Sequence, residues 1–268
     1  MKNKISFFLV LFVLMLLPIS CINNTNNPVG SLNTKINISM KQNLSKNGTS
    51  LILSSKTDSL YDCANYLINY AILNQSSNIE IKFINIITPA ACVGGTAPAQ
   101  ASIIINGLST GKYNLQFLAN GRVSQTTLTV DPNFYQLDSL NSEWVKVPAS
   151  KILRIPPNTI WGYVGYFTDS LVTKVNSFID SLKSLSVKNN NFLPGDYGNF
   201  TIDSTGYLLP PKDNTYKDIK SFIFVYTNNI TTVINLMRYY GKNNLINISL
   251  FTSIGDVYYS WNLPAVKK

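Results

Sequence analysis

Short alternating apolar runs, separated by glycine-containing turns, most limit how this chain can fold. Between residues 35 and 130, apolar side chains recur at every second position, as in Ile36, Ile38 and Met40. Such alternation between tight turns is the signature of β-strands and hairpins. We therefore predict a β-rich first half, whose clearest hairpin spans residues 112–130. The turn pairs are Asn47-Gly48, Gly94-Gly95, Asn106-Gly107 and Asn120-Gly121.

The strand pattern of this first half resembles that of an immunoglobulin-like or fibronectin-like β-sandwich. The resemblance implies two packed antiparallel sheets, which we assign to residues 35–147. One segment remains open at this point, because Leu60, Ala64 and Leu67 also have the spacing of a helix. Residues 60–73 are therefore either strand or helix.

Long helical spacing appears in the second half, in residues 148–268. Leu171, Val175, Phe178 and Leu182 lie on one helical face, which predicts an amphipathic helix at residues 169–187 packed on a sheet. The prolines between residues 131 and 167 suggest a passage between domains, and we place the boundary near Val147.

Further along the second half, a strand, a helix and a strand follow one another. The strand at 221–226 leads to a helix that Asn229 caps and Gly241 stops, and a strand at 245–251 comes next. This order predicts a β-α-β unit with a parallel strand pair. The predicted fold class is mostly β with α+β, namely a sandwich followed by a small α+β domain with a last strand at 257–261.

The first twenty residues have the order of an export signal. Lys2 and Lys4 precede an apolar run at residues 7–17, and Ser20 comes directly before Cys21. That run is shorter than the roughly 20 apolar residues of a membrane-spanning helix. Residues 1–20 are therefore predicted to be a signal peptide that directs export.

The end of this signal resembles the lipobox of bacterial lipoproteins, although Pro18 and Ile19 depart from the usual pattern. The resemblance implies that Cys21 carries acyl chains such as palmitate and anchors the protein in a membrane, facing the periplasm or the cell surface. The alternative is an ordinary cleaved signal with Cys21 near the cut by chance. Residues 21–34 would be the lipidated cysteine and a flexible, Asn-rich tether.

The cysteine count fits an exported protein. The chain has three cysteines, and an odd number in an exported protein requires an explanation. If Cys21 is lipidated, Cys63 and Cys92 remain as one pair in an oxidising compartment. We predict that they form a disulfide, which would stabilise the fold by about 3.5 kcal/mol in the chain-entropy model.

Missing residue types exclude several functions. The chain has no histidine, which excludes Ser-His-Asp triads, Cys-His dyads and histidine-ligated zinc. It has no phosphate-binding glycine motif, so no cofactor and no metal are predicted. The formal net charge is +9. Arginines occur only at positions 122, 154 and 238 and no basic run exists, which argues against a nucleic-acid partner.

The remaining candidates are aromatic residues and aspartates on predicted loops. Aromatic side chains could stack on a sugar or anchor a protein partner, and loops often hold binding residues. The structural alternative is that the aromatic residues fill the cores and that the aspartates bond nearby backbone amides. The candidate binding residues are Trp161, Tyr163, Tyr166, Asp196, Asp256 and Tyr259, and near them lie Phe167, Tyr258 and Trp261.

The sequence therefore favours an exported, lipid-anchored envelope protein that binds a protein or a glycan and is not catalytic. One rival is a carboxylate-dependent hydrolase or transferase in the second half, which needs two carboxylates such as Asp196 and Asp256 to converge. Another rival is a purely structural envelope lipoprotein.

Overall fold

The computed structural model describes residues 28–46, 48–140, 142–186, 192–242 and 245–263. The predicted signal peptide, Cys21 and residues 22–27 of the predicted tether lie outside these ranges. The described chain is mostly β, with one large curled sheet and a small helical part, which confirms the predicted β-rich α+β class.

The large sheet contains β1 to β11 in the order β10-β2-β3-β6-β4-β5-β7-β8-β9-β11, with β1 paired to β5. The strands are β1 (Pro28–Ser31), β2 (Ile36–Ser45), β3 (Gly48–Cys63), β4 (Leu67–Gln75), β5 (Asn78–Ile87), β6 (Gly94–Ile105), β7 (Gly111–Ala119), β8 (Arg122–Val130), β9 (Phe134–Leu137), β10 (Val145–Lys146) and β11 (Lys151–Leu153).

Two sections of this sheet share one core. The section β10-β2-β3-β6 meets the rest of the sheet where β6 lies beside β4, through the parallel pair Leu67 and Gln100. Alternate side chains of both sections point inward, and Ile38, Leu53 and Phe117 are fully buried there. Strands β5 and β7 are parallel, which departs from an all-antiparallel sandwich. The reason is that β6, which lies between them in sequence, pairs with β3 in the other section.

The start of the described chain corrects the predicted tether. Pro28–Ser31 forms β1, which pairs with β5 at Asn85 and Ile87. Leu32 is completely buried, and its carbonyl accepts a hydrogen bond of 2.7 Å from the Arg122 guanidinium. The tether prediction fails here because the segment has no apolar alternation of its own. It is ordered by the part of β5 after Lys82, which no longer pairs with β7 and is free to pair with β1.

Local patterns in the first half were mostly interpreted correctly. The Asn120-Gly121 turn joins β7 and β8, and both residues have the positive φ angles of a tight hairpin turn, 48° and 75°. Residues 60–73 are strand on either side of a turn at 64–66. Gly94 and Gly95 are not a turn, because they begin β6, where Gly94 pairs with Cys63.

The second half contains β12 (Thr159–Tyr166), β13 (Gly195–Asp196), β14 (Thr201–Ile202), β15 (Asp218–Val225), β16 (Ile246–Thr252) and β17 (Val257–Tyr259). Its helices are α1 (Val172–Leu185), which follows a short 3-10 turn at Asp169–Leu171, and α2 (Ile230–Gly241). Asn229 caps α2 as predicted, since its side chain accepts the Thr231 N–H. Both helices pack on one face of a sheet with the order β15-β12-β16-β17.

The predicted parallel β-α-β pair is wrong. The strands on either side of α2, β15 and β16, are not neighbours, because β12 lies between them and is antiparallel to both. Strand β12 takes the central place because almost every one of its residues is apolar or small and is buried. A central strand covered on both faces needs such a sequence.

The two sheets meet at β2. On the face of the second sheet away from the helices, Trp161 packs in a third core against Phe200 and Ile202, and Leu44 of β2 packs against this core. The Asn199 side-chain amide donates to the backbone carbonyl of Gln42 at 2.9 Å. The second sheet begins at Thr159 and β11 still belongs to the first, while the predicted domain boundary near Val147 stays a prediction.

Candidate functional site

Two of the predicted aromatic candidates, Trp161 and Tyr163, pack in or against the third core. Trp161 is only 3% exposed, and its ring lies 4.9 Å from that of Phe200 and 5.8 Å from that of Phe251. Tyr163, half-buried, has an edge contact with the same Phe251 ring, and its burial raises the pKa of its hydroxyl. These side chains pack the third core, as the structural alternative anticipated.

Tyr166 is also buried, at the end of β12. Its hydroxyl donates to Oδ2 of Asp218 at 2.7 Å. Burial, together with this hydrogen bond to a carboxylate, raises the pKa of Tyr166 to about 12. The same bond holds the pKa of Asp218 below its ordinary value. The pair joins β12 to β15 and has a structural role.

The two candidate aspartates serve separate local contacts. Oδ1 of Asp196 accepts the Gly198 N–H at 2.7 Å and fixes a turn. Asp256 lies 3.5 Å from Lys46 Nζ. Asp256 lines two small cavities, and Asp196 lines neither of them. Neither cavity therefore holds the pair of carboxylates that the hydrolase alternative requires.

Tyr259 lies on an exposed ridge of apolar side chains. Val257, Tyr259 and Trp261 are 46%, 36% and 50% exposed, and they occupy alternate positions on and just after the edge strand β17. The rings of Tyr259 and Trp261 stack with their centroids 4.8 Å apart. We call these three residues the aromatic ridge. Its alternation was visible in the sequence, but only the fold shows that nothing in the described chain covers it.

A cleft of about 590 Å³ lies at the junction of the two sheets. We call it the loop cleft, because loops from both halves line it. They are the β2–β3 turn, the loop before β7, the β8–β9 loop, the segment between β11 and β12 and the loop after β16, represented by Lys46, Thr110, Asn133, Asn158 and Ser253.

The charge of the loop cleft is positive. Lys46 and Arg154 line it, and its described lining residues include no aspartate or glutamate. Arg154 is held in place, since its Nη1 donates to the Asp131 carbonyl at 3.1 Å and its guanidinium lies 5.2 Å from the centre of the Tyr135 ring. The exposed Lys46 side chain lies at the rim, with Nζ 3.5 Å from Oδ1 of Asp256. A concave positive surface of this kind attracts anions.

Gln42 supplies a buried polar group to the same cleft. Its side chain continues the inward face of β2 after Ile36, Ile38 and Met40, and it is only 3% exposed. The amide oxygen accepts the Ile155 N–H at 2.9 Å, whereas the amide nitrogen makes no hydrogen bond to the described residues. Among the described residues, the side-chain polar atom that is enclosed without a partner is Ser55 Oγ, so the Gln42 amide nitrogen remains accessible to water or to a ligand.

Sequence reasoning missed Gln42, Lys46 and Arg154 as members of one site. The available signal was a glutamine at an inward position of an otherwise apolar alternation. That signal identifies an unusual core residue, but the convergence of the three side chains depends on how the two sheets pack.

No protein-family model, curated protein or solved structure matches this chain. Among the described residues, no group of three or more aspartate, glutamate or cysteine side chains could hold a metal ion. The helices of the described chain are too short or too polar to cross a membrane.

Proposed function

We propose that this protein is an exported, lipid-anchored envelope protein that binds a glycan or a protein and does not act by catalysis. The observation that supports this most is the loop cleft. Its volume of about 590 Å³ lies within the range of roughly 300–1,000 Å³ typical of ligand sites. Ligand sites also tend to form between structural units and on loops held by a rigid scaffold, as here.

The proposed lipid anchor at Cys21 draws on the cysteine chemistry. Cys63 and Cys92 form a disulfide, which leaves Cys21 as the remaining cysteine of the three in the chain. A structural disulfide is typical of exported proteins. A chain with more than one acyl group on Cys21 would be held stably at a membrane, because two chains anchor far better than one.

Mass spectrometry of the mature N-terminus tests the anchor. We expect the chain to begin at Cys21 with acyl chains attached and to sediment with membranes. Cys21→Ser should abolish both the added mass and the membrane association. A mature chain that begins elsewhere, or an unmodified Cys21, would refute lipidation without affecting the binding proposal.

A glycan array together with a pulldown from envelope extract tests the binding function. We expect a ligand whose capture is weakened by Lys46→Gln in the loop cleft. Trp261→Ala in the aromatic ridge is the second variant, since exposed stacked rings favour contact with the C–H faces of sugars or with a protein partner. If neither method returned a ligand, the structural role would replace the binding proposal.

A further inference from the structure

We infer that the loop cleft binds a saccharide that bears a carboxylate, with Lys46, Arg154 and Gln42 as the groups that receive it. This inference rests on the binding function proposed above and names the chemical class of the ligand.

The first step of the argument is charge. Lys46 and Arg154 face the cleft, and no carboxylate belongs to its described lining residues. The Arg154 guanidinium donates through Nη1 to the Asp131 carbonyl, which holds its positive charge at the cleft. Guanidinium and ammonium groups bind carboxylates through charge-assisted hydrogen bonds. The cleft is therefore suited to an anionic group.

The ion pair between Lys46 and Asp256 does not prevent this. The Lys46 side chain is 70% exposed, and the two charged atoms are 3.5 Å apart. Exposed pairs of this kind contribute little free energy, because water solvates both partners well. Lys46 can therefore turn to a ligand carboxylate at small cost, while Asp256 remains solvated at the rim.

The second step is the Gln42 amide. Gln42 lines the cleft, and the bond from the Ile155 N–H to its amide oxygen fixes the orientation of the side chain. Its two N–H groups match a carboxylate or hydroxyl oxygen. Binding of such an oxygen would satisfy a donor that the described chain leaves unpaired.

The third step concerns the rest of the ligand. The cleft wall adds neutral hydroxyl and amide groups from Ser45, Thr110, Asn133 and Ser253, which suit the hydroxyl groups of sugars. Its volume of about 590 Å³ accommodates roughly one or two sugar rings. Two common modes of peptide recognition use an exposed sheet edge or an apolar groove for a helix, whereas loops that carry several polar side chains line this cleft.

Isothermal titration calorimetry of the full-length chain in detergent tests the inference. The two main probes are an oligogalacturonate and its methyl ester, which differ only in the free carboxylate. A peptide with a free C-terminal carboxylate and inorganic phosphate are the other two. We expect the oligogalacturonate to bind at least about tenfold more tightly than the ester and than either other probe.

Lys46→Gln should weaken oligogalacturonate binding by about fivefold and leave the ester unchanged. Lys56→Gln is the matched control, because Lys56 is an exposed lysine of β3 that does not line the cleft, and it should change neither. Thermal unfolding of both variants verifies that they fold.

Equal affinity for acid and ester, or equal effects of the two lysine variants, would overturn the carboxylate preference. Tighter binding of phosphate or peptide would overturn the saccharide. If none of the four probes bound, the inference would fall, whereas the proposed binding function would still be decided separately by the glycan array and the pulldown.

Discussion

The curled sheet and the four-stranded sheet bury their strands in different ways. Strands of the curled sheet are packed mainly on one face. Inward residues such as Leu53 are therefore buried, while outward ones such as Ile104 and Val123 are 44% and 61% exposed. Strand β12 of the second sheet is covered on both faces, by the helices and by the third core.

This difference explains why the alternating strands of the curled sheet were readable from the sequence, whereas β12 was not. One-sided burial produces period-two alternation, which is readable. Two-sided burial produces a continuous run without alternation, in which a core aromatic residue looks the same as a displayed one. Trp161 and Tyr166 belong to such a run and are core residues.

The largest effects are expected from a cavity in the core of each sheet. Phe178 in α1 and Phe117 in β7 are both fully buried. We expect Phe178→Ala and Phe117→Ala each to lower the free energy of unfolding by about 3–5 kcal/mol, measured in urea. Hydrogen exchange should rise first in β12, β15 and β16 for the former, and first in the curled sheet for the latter.

Phe167→Ala is the control for this pair, because Phe167 is 45% exposed. It should cost much less than either core variant. Identical exchange patterns in the two core variants would mean that the two sheets open together. The two sheets would then differ in how they bury their strands but not in when they unfold.

The disulfide is found in the curled sheet and should stabilise the fold by a similar amount. Replacement of Cys63 and Cys92 by serine should lower the free energy of unfolding by about 3.5 kcal/mol, because the unfolded chain gains freedom. Urea unfolding measures this. A reducing agent should produce the same loss in the parent chain and none in the double variant, and an unchanged midpoint after reduction would refute the assignment.

A smaller effect is expected at the junction of the two halves. Gly255 has φ +84°, and a Cβ there would lie 2.3 Å from the Leu44 carbonyl oxygen of β2. Gly206 has nearly the same angle, +86°, with nothing within 4 Å of an added Cβ. Both alanine variants should lose about 1 kcal/mol through the left-handed backbone.

Gly255→Ala should lose about 1–3 kcal/mol more than Gly206→Ala, because it also forces β2 away from the loop after β16. The difference between their thermal unfolding midpoints isolates the contact between the two halves. Equal losses would show that this contact adds no stability.

The smallest effect concerns the bond between Tyr166 and Asp218. Tyr166→Phe should cost about 1–2 kcal/mol at pH 7. The pKa of Tyr166 is raised from 10.0 to about 12, so its contribution is complete below pH 10 and is lost as the pH rises through about 12. The stability difference between variant and parent should therefore shrink above pH 10.

Urea unfolding at several pH values measures this difference. Tyr207→Phe is the control, because Tyr207 is 72% exposed. A difference from the parent that stayed constant up to pH 12 would contradict the assigned role of the Tyr166 hydroxyl. On the acid side, the pKa of Asp218 is lowered by the same bond, so its contribution should be lost only as the pH falls through that lowered value.

Much of the fold was predictable because its signals are local. The turn at Asn120-Gly121, the α1 face with Phe178 and the Asn229 cap each depend on residues close in sequence, and all three are confirmed. The pairing of Cys63 with Cys92 followed from counting and is also confirmed. The fold class follows from these elements together.

The order of strands was not predictable, and neither was the site. The place of β12 between β15 and β16 depends on how its two apolar faces are covered, and the burial of Leu32 depends on the edge that β5 offers. Gln42, Lys46 and Arg154 are far apart in sequence and meet only at the junction of the sheets.

Local sequence patterns predicted most strands of the curled sheet and both helices, since backbone and turn preferences act over a few residues. They did not predict β1, which lies in the predicted tether, or β12, which lies in the predicted passage between domains. The tertiary structure alone decided which aromatic side chains are buried, which strands are neighbours and where a concave surface forms. These properties depend on contacts between distant segments, which are selected by burial of apolar surface rather than by local pattern.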